Sequence, residues 1–446
     1  MNKIGKYRIR GLLGRGGMAK IYMVQIPVID KIAAIKRLDP RDTLEALIGA
    51  DSLRDLFVAE ARTMAAIRHP NILEVLDYGE ADGRPYYLME YYADNLGTIM
   101  GESYRVEAPS RIIRPDKAFD FCDQTLAGLA RLHDAGIVHR DIKPYNLLVT
   151  ETGRIKIADF GLSKLRGETF TGPSNLKIGS PYYAPPEQET APDSVDARAD
   201  LYAVGVTLFR MLTGRLPDRG LTPPSRLNTD LDAGWDGVIQ KALEVDPRDR
   251  FSTARAMKQA LTATYTGWRT KQKERCELPA DRPLPAAPTP VGQKRLRSVP
   301  SKTAVGLARE MFRVDALGRP AEYITNDFDV RPDGTVYDQA TQLYWKQAGS
   351  PYPMNWQEAG TYVSQLNQKQ FGGKHDWRLP TVDELTSLLT EGLDVCIPPV
   401  FEPTQQWLWS CDRRSYTTAW YVSAELGFVH WQDTSAPYYV RAVSSG

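Results

Sequence analysis

His139-Arg140-Asp141-Ile142-Lys143-Pro144-Tyr145-Asn146, followed eighteen residues after Asp141 by Asp159-Phe160-Gly161, is the stretch whose reading decides the fold. Asp141 and Asn146 stand five residues apart in a segment interrupted by Pro144, a residue that does not continue a helix. Asp159 follows the strand-like run Arg154-Ile155-Lys156-Ile157-Ala158. Asn146 and Asp159 offer hard oxygen ligands, which suit Mg2+ better than zinc. Either motif alone reads as a surface loop with a carboxylate. Both together, in this order and at this spacing, point to one site.

Upstream, the chain reads as strand, glycine turn and strand over residues 7–26, with Gly14-Arg15-Gly16-Gly17-Met18-Ala19-Lys20-Ile21 at the turn. Glycines allow backbone N–H groups to approach a phosphate chain closely. The next run, Lys31–Leu38, alternates, which puts Ile32, Ala34, Lys36 and Leu38 on one face. A lysine among apolar neighbours needs a partner. Residues 51–68 carry a helical stripe of Leu53, Leu56, Phe57, Ala61, Met64 and Ile67, and Glu60 falls on it. Two opposite charges turned inward on adjacent elements predict an ion pair, Lys36 with Glu60. Residues 85–92 read as a further strand, and from about residue 115 helical patterns dominate. The expected architecture is a small strand-rich lobe followed by a larger helical one.

The chain has 446 residues, more than one ordinary domain needs at roughly 100–200 residues each. Fifty-six Lys and Arg against 55 Asp and Glu leave a net of +1, without the basic excess of a nucleic-acid coat protein. Four scattered cysteines give neither a disulfide framework nor a CxxC zinc signal. No run reaches the roughly 20 apolar residues of a membrane span, so a cytoplasmic chain with no membrane span and no nucleic-acid partner is expected. Residues 279–300 are rich in Pro and poor in large apolar residues, and read as an extended spacer. The Lys294-Arg295-Leu296-Arg297 run inside it reads as solvated linker charge. Seven of the nine tryptophans lie beyond it. The division expected is 1–265, a linker at 266–308, and a second domain at 309–446.

The first part resembles the eukaryotic-type (Hanks-type) Ser/Thr protein kinases of bacteria, from about Tyr7 to about Leu261. The resemblance implies an α+β, two-lobed protein kinase fold that uses ATP and Mg2+, with Mn2+ as a substitute. Gly14, Gly16, Gly17 and Ile21 would cover the phosphates, and Ala19 departs from the third glycine. Ala33-Ala34-Ile35-Lys36 would be the strand whose lysine holds the phosphates, oriented by Glu60, with Ala34 against the nucleotide. Asp141 would take or orient the substrate proton, Lys143 would steady the γ-phosphate, and Asn146 and Asp159 would hold the metal. Met89 would guard the rear of the adenine pocket, with Glu90 to Tyr92 as its hinge. Glu187, in a Pro185-Pro186-Glu187 that departs from the usual Ala-Pro-Glu, would pair with Arg250, and Asp200 would brace the catalytic loop. Arg140 would stay unpaired until a phosphate arrives on Thr169, Thr171 or Ser174, Thr171 being the first choice. Protein substrates with Ser or Thr acceptors follow, and a homodimer is compatible with the pattern. The alternative is a kinase-shaped scaffold or sensor that transfers little.

The second part carries Asp333-Gly334-Thr335, Trp377-Arg378-Leu379-Pro380-Thr381-Val382-Asp383-Glu384-Leu385 and Trp407-Leu408-Trp409. Trp356, Ala359, Tyr362, Val363 and Leu366 are spaced for an amphipathic helix, and Thr381 with Glu384 makes a capping box for a second. This series resembles the bacterial Lcl-C-terminal-like domains, related to the C-type lectin and formylglycine-generating-enzyme folds. It implies a smaller α+β binding domain for a protein or small ligand, with no catalytic residue. Its tryptophans are expected mostly in the core, Cys396 and Cys411 as free thiols, and His430 as a core histidine.

Overall fold

The computed structural model describes residues 3–102, 106–159, 164–165, 182–218, 220–276, 294–390, 396–401 and 406–446, which form two compact units, 1–277 and 278–446.

The first unit opens with a six-stranded antiparallel sheet built from β1 (Lys3–Ile4), β2 (Tyr7–Arg15), β3 (Ala19–Gln25), β4 (Ile32–Leu38), β5 (Val75–Ala81) and β6 (Arg84–Met89), in the order β1-β2-β3-β4-β6-β5. Between β4 and β5 run α1 (Asp42–Ile48) and α2 (Ala50–Ala65). Strand β4 is central and buried on both faces. Ala33 and Ile35 join Ile4, Tyr7, Val24, Tyr86 and Leu88 in one core, while Ala34, Lys36 and Leu38 are buried on the opposite face. Helix α2 presents Leu53, Phe57, Glu60, Ala61 and Met64 inward. Leu56, expected on that stripe, is half exposed at 49%; the buried arc is narrow, and its neighbour Phe57 takes the inward position.

The larger lobe follows through β7 (Asp94–Asn95), α3 (Leu96–Met100) and α4 (Pro115–Asp134), a 20-residue helix that buries Phe121, Cys122, Leu126, Leu129 and Leu132. Short strands β8 (Ile137–Val138), β9 (Leu147–Val149), β10 (Ile155–Ile157) and β11 (Lys164–Leu165) carry the loops that matter below. Behind them are α5 (Pro186–Thr190), α6 (Arg198–Thr213), α7 (Pro224–Leu227), α8 (Ala233–Ala242) and α9 (Ala254–Cys276). Helix α6 is apolar nearly all round and therefore central, and it ends at Gly214, whose φ of 69° is the left-handed cap that glycine supplies without strain. Residues 266–276, read from sequence as the start of a linker, continue α9. They are fastened there by Trp268 Nε1, which donates to the Asp230 carbonyl at 2.6 Å, and by Lys271, which donates to Asp232 at 2.7 Å.

The second unit holds α10 (Val305–Met311), a four-stranded sheet of β12 (Phe328–Val330), β13 (Thr335–Asp338), β14 (Leu343–Lys346) and a late strand, helices α11 (Trp356–Gln368) and α12 (Val382–Ser387), and a three-stranded sheet of β15 (Trp407–Arg413), β16 (Thr418–Ser423) and β17 (Phe428–Asp433). The late strand is β18 (Val443–Ser444). The capping box of Thr381 and Glu384 is present, and Asn355 with Glu358 forms a second at α11. Trp345, Trp377, Trp407, Trp409 and Trp420 are buried. Cys396 and Cys411 are free thiols, and His430 Nδ1 lies 2.9 Å from the Trp431 carbonyl oxygen.

The 294–297 run corrects the sequence reading. Arg297 is not a solvated linker charge: its guanidinium donates to Asp383 at 2.5 Å and to Asp412 at 2.7 Å. Asp412 is fully buried, and a buried carboxylate requires such a cation.

Candidate active site

The register of the first sheet brings the site together. Lys36 on β4 pairs with Ile21 on β3 and with Tyr87 on β6, and Ala34 pairs with Met89. The Lys36 Nζ, on a side chain only 8% exposed, donates to Glu60 Oε1 at 2.7 Å and to Asp159 Oδ1 at 2.8 Å. Burial opposes its charge, yet the Asp159 and Glu60 carboxylates outweigh that and push the ammonium's pKa well above its usual value. Reciprocally, Lys36 holds the Asp159 carboxyl down at about 2. The ion pair predicted between Lys36 and Glu60 is present, and Asp159 is a second acceptor on the same nitrogen. Sequence reasoning did not find Tyr87, whose hydroxyl donates to Glu60 Oε1 at 2.9 Å.

The loop after β8 is knotted around Asp200. Its Oδ2 accepts from the His139 N–H at 2.9 Å, its Oδ1 accepts from the Arg140 N–H at 2.8 Å, and His133 Nε2 lies 2.8 Å from Oδ2. Burial works against the Asp200 charge, but these partners keep its pKa below the ordinary value. Arg140 and Asp159 both take left-handed φ, 69° and 64°, a strain that persists where surrounding bonds enforce it. His139 enforces it between the two segments. Its Nδ1 accepts from the Asp141 N–H at 3.2 Å, which leaves Nε2 to donate to the Ala158 carbonyl at 3.1 Å. These partners assign the neutral, Nε2-protonated tautomer.

Asp141 Oδ2 accepts from Lys143 Nζ at 2.7 Å and from Asn146 Nδ2 at 3.0 Å, and Asn146 Nδ2 also donates to the Asp141 carbonyl at 2.8 Å. The Ala158 N–H donates to the Asn146 carbonyl at 2.9 Å, which locks the Asp141 loop beside Asp159. With its amide nitrogen committed to Asp141, Asn146 has Oδ1 left as a hard donor, and Asp159 stays ionised at neutral pH. An oxygen-seeking divalent cation such as Mg2+, or Mn2+ in its place, fits this donor set. Among the described residues no group of three or more His, Cys, Asp or Glu could hold a metal by itself.

The glycine hairpin joins β2 to β3, with Gly14 opposite Ile21 and the Gly16 N–H donating to the Ala19 carbonyl at 2.9 Å. Nothing lies within 4 Å of a Cβ placed on Gly14, so its outer side is open to a ligand, whereas Gly17 faces Leu44. Ala19 opens β3, paired with Leu38, 4% exposed and without a positive φ, so the missing third glycine costs no backbone strain. Beyond Met89, 7% exposed, the chain leaves the sheet at Glu90. Glu90 Oε2 accepts from Lys156 at 3.1 Å, and Oε1 accepts from the Tyr92 hydroxyl at 3.0 Å, which ties the segment 90–92 to the larger lobe.

Glu187 and Arg250 form a two-pronged pair at 2.6 and 2.8 Å. Arg140, expected to lack a partner, does not: its guanidinium donates to the Pro192 carbonyl at 2.9 Å, because the side chain is buried and must satisfy its donors locally. Thr169, Thr171 and Ser174 lie outside the described residues. Sequence reasoning also missed Gln188, which donates to the Arg140 carbonyl at 2.7 Å, and the buried Arg210, 3.5 Å from Glu102. The only sequence signal for Arg210 is a charged residue within an apolar helical run, and Gln188, in the polar stretch 186–190, has none.

Residues 7–321 match the protein kinase domain family, and residues 334–444 match the Lcl C-terminal domain. Over 276 residues the chain is 36% identical to the serine/threonine-protein kinase PksC of Streptomyces coelicolor, covering 57% of this chain and 48% of that one. It is 31% identical to PrkC of Bacillus subtilis, with 60% and 42% covered, and 34% identical to pkn3 of Myxococcus xanthus, with 58% and 50% covered. The chain thus spans about half the length of the curated relatives it matches. Among the described residues no helix is long and apolar enough to cross a membrane.

Proposed function

The chain belongs to the protein kinase family, and from that premise we propose that it transfers the γ-phosphate of MgATP to serine and threonine hydroxyls of proteins. The observation that carries the proposal is the Lys36 ammonium, held between Glu60 and Asp159 beside the knot of Asp141, Lys143 and Asn146. A phosphoryl group in transfer concentrates negative charge, so catalysis is chiefly positioning and cation placement. Lys36 grips the α- and β-phosphates while Glu60 keeps it aimed. Asp141 orients the acceptor hydroxyl and takes its proton. Lys143, already against Asp141, meets the γ-phosphate. Asn146 and Asp159 are the residues that would hold Mg2+, which when bound neutralises charge on the phosphate oxygens. Gly14, Gly16, Gly17 and Ile21 cover the phosphates, and Ala34, Met89, Glu90 and Tyr92 border the base.

The finer readings rest on the same footing. Phosphorylation in the 162–178 segment, first at Thr171, recruits Arg140 away from Pro192. The second unit, with a C-type-lectin-like fold, binds a protein or small ligand and raises the local concentration of a target. The whole works in the cytoplasm.

The test is incorporation of labelled phosphate from ATP by the full chain and by Asp141→Asn. A positioned general base contributes about 100- to 10,000-fold, so the variant should lose at least 100-fold. Equal incorporation by the two proteins defeats the assignment.

A further inference from the structure

We propose that Tyr87 is a positioning residue of the phosphoryl-transfer site, its hydroxyl holding Glu60 in register with Lys36. This rests on the kinase reading above.

Tyr87 and Lys36 are direct cross-strand partners on β6 and β4, so their side chains leave the sheet on the same face. Both end on one atom, Glu60 Oε1, at 2.9 Å from the hydroxyl and 2.7 Å from the ammonium. Glu60 Oε2 is buried and has no hydrogen-bond partner. Tyr87 is 1% exposed, and its ring packs on Phe57 at 5.2 Å between centroids. Phe57 lies three residues before Glu60 on α2, on the same face of the helix. Tyr87 therefore grips α2 twice, through the ring and through the hydroxyl. Burial and the Glu60 charge keep that hydroxyl protonated, so it acts as a donor at any working pH.

The consequence concerns turnover. Lys36 is divided between Glu60 and Asp159. When phosphates draw on the ammonium, Tyr87 remains as the donor on Glu60, and α2 stays seated without relying on Lys36 alone. A carboxylate in a dry site with one partner removed is costly, so loss of the hydroxyl shifts the population away from the seated helix.

The variant is Tyr87→Phe in the full chain, which keeps the ring on Phe57 and deletes one oxygen. Hydrogen bonds to charged groups have a strength that converts to roughly a tenfold effect or more. The expected result is a tenfold fall in kcat with KM for ATP changed less than about threefold, and less than a twofold further effect when the same change is made in Glu60→Gln. A wild-type kcat in Tyr87→Phe overturns the proposal, as does an equal fall in both backgrounds, which would mean that Tyr87 does not act through Glu60. Tyr87→Met, which fills the space without a donor, carries the same expectation if the phenylalanine variant does not fold. If the wild-type chain transfers no phosphate, the kinase reading fails separately, and hydrogen–deuterium exchange over residues 53–64 decides for Tyr87. Faster exchange in Tyr87→Phe than in wild type supports the hydroxyl as the anchor of α2, and identical exchange refutes it.

Discussion

Lys36 donates to Glu60 and Asp159 at once, and Lys36 and Asp159 set each other's titration. The Asp159 carboxyl in the folded chain lies at about 2, below its ordinary 3.8. A depressed carboxyl stabilises the fold fully above the unfolded value and loses that contribution as pH falls through the folded one, here between about 4 and 2. Lys36 is raised, so its contribution is full below its ordinary 10.5 and fades only as pH rises beyond it. The arrangement is thus stable across the whole neutral range. Lys36→Met removes the chief cause of the Asp159 shift, and the carboxyl should then titrate clearly higher, toward the ordinary value, because burial is opposed only by the weaker pull of Lys143 and His139. Carboxyl-carbon NMR over pH 1.5–6 checks this, and a midpoint that stays near 2 would assign the shift to another group. At this scale the sequence was informative where chemistry leaves few choices. The pairing of Lys36 with Glu60 was readable because buried charges demand partners, and the grouping of Asp141, Asn146 and Asp159 was readable from the order and spacing of their motifs. Tyr87 was not, because its role depends on which residue β6 sets opposite Lys36, and strand register is fixed by tertiary packing.

Helix α5 and the turn before α9 are joined by one ion pair. Arg250, with no side-chain exposure, forks onto both oxygens of Glu187, donates to the carbonyls of Glu244 and Val245, and stacks 4.7 Å from the Tyr202 ring. Helix α5 has five residues and buries only Gln188, so it has too little apolar surface to hold itself. Arg250→Met removes the cation from a nearly buried carboxylate, which costs about 3–5 kcal/mol, and should lower the thermal midpoint of the first unit. Arg250→Lys should recover only part of the loss, since one ammonium cannot satisfy two carboxylate oxygens and two carbonyls in a planar fork. Full recovery by lysine would show that charge alone holds α5. Elements with a strong period were readable in the same way: α2, α4, α6 and α11 follow their apolar spacing. Of the short strands, β10 was readable from its alternating run Arg154–Ala158, whereas β7, β8, β9 and β11 were not, because two or three residues carry no period and exist only through their neighbours.

The chain divides at 277/278, yet the composition that suggested a linker runs on to residue 300. The difference comes from residues 294–303, which are polar and proline-flanked in sequence but are bound into the second unit by hydrogen bonds. Arg297 bridges Asp383 on α12 and Asp412 on β15; the Ser301 N–H donates to Asp412 at 2.7 Å; the Thr303 N–H donates to the Arg413 carbonyl at 2.8 Å. Trp420 Nε1 in turn donates to the Thr303 carbonyl at 3.1 Å, and the Thr381 hydroxyl donates to the Arg297 carbonyl at 2.8 Å. Composition cannot report such a segment, because its stabilisation comes from charges placed by distant parts of the chain. A fragment cut by composition, 309–446, therefore loses the cation that Asp412 needs and the acceptor that Trp420 needs. Removing one partner of a buried pair costs about 3–5 kcal/mol, a large share of the 5–15 kcal/mol that holds a typical domain. Residues 294–446 should give a cooperative thermal transition and dispersed amide resonances. Residues 309–446 should melt at least 10 °C lower or fail to fold, and Arg297→Met in the longer fragment should reproduce most of that loss. Equal melting of the two fragments would return 294–303 to the linker.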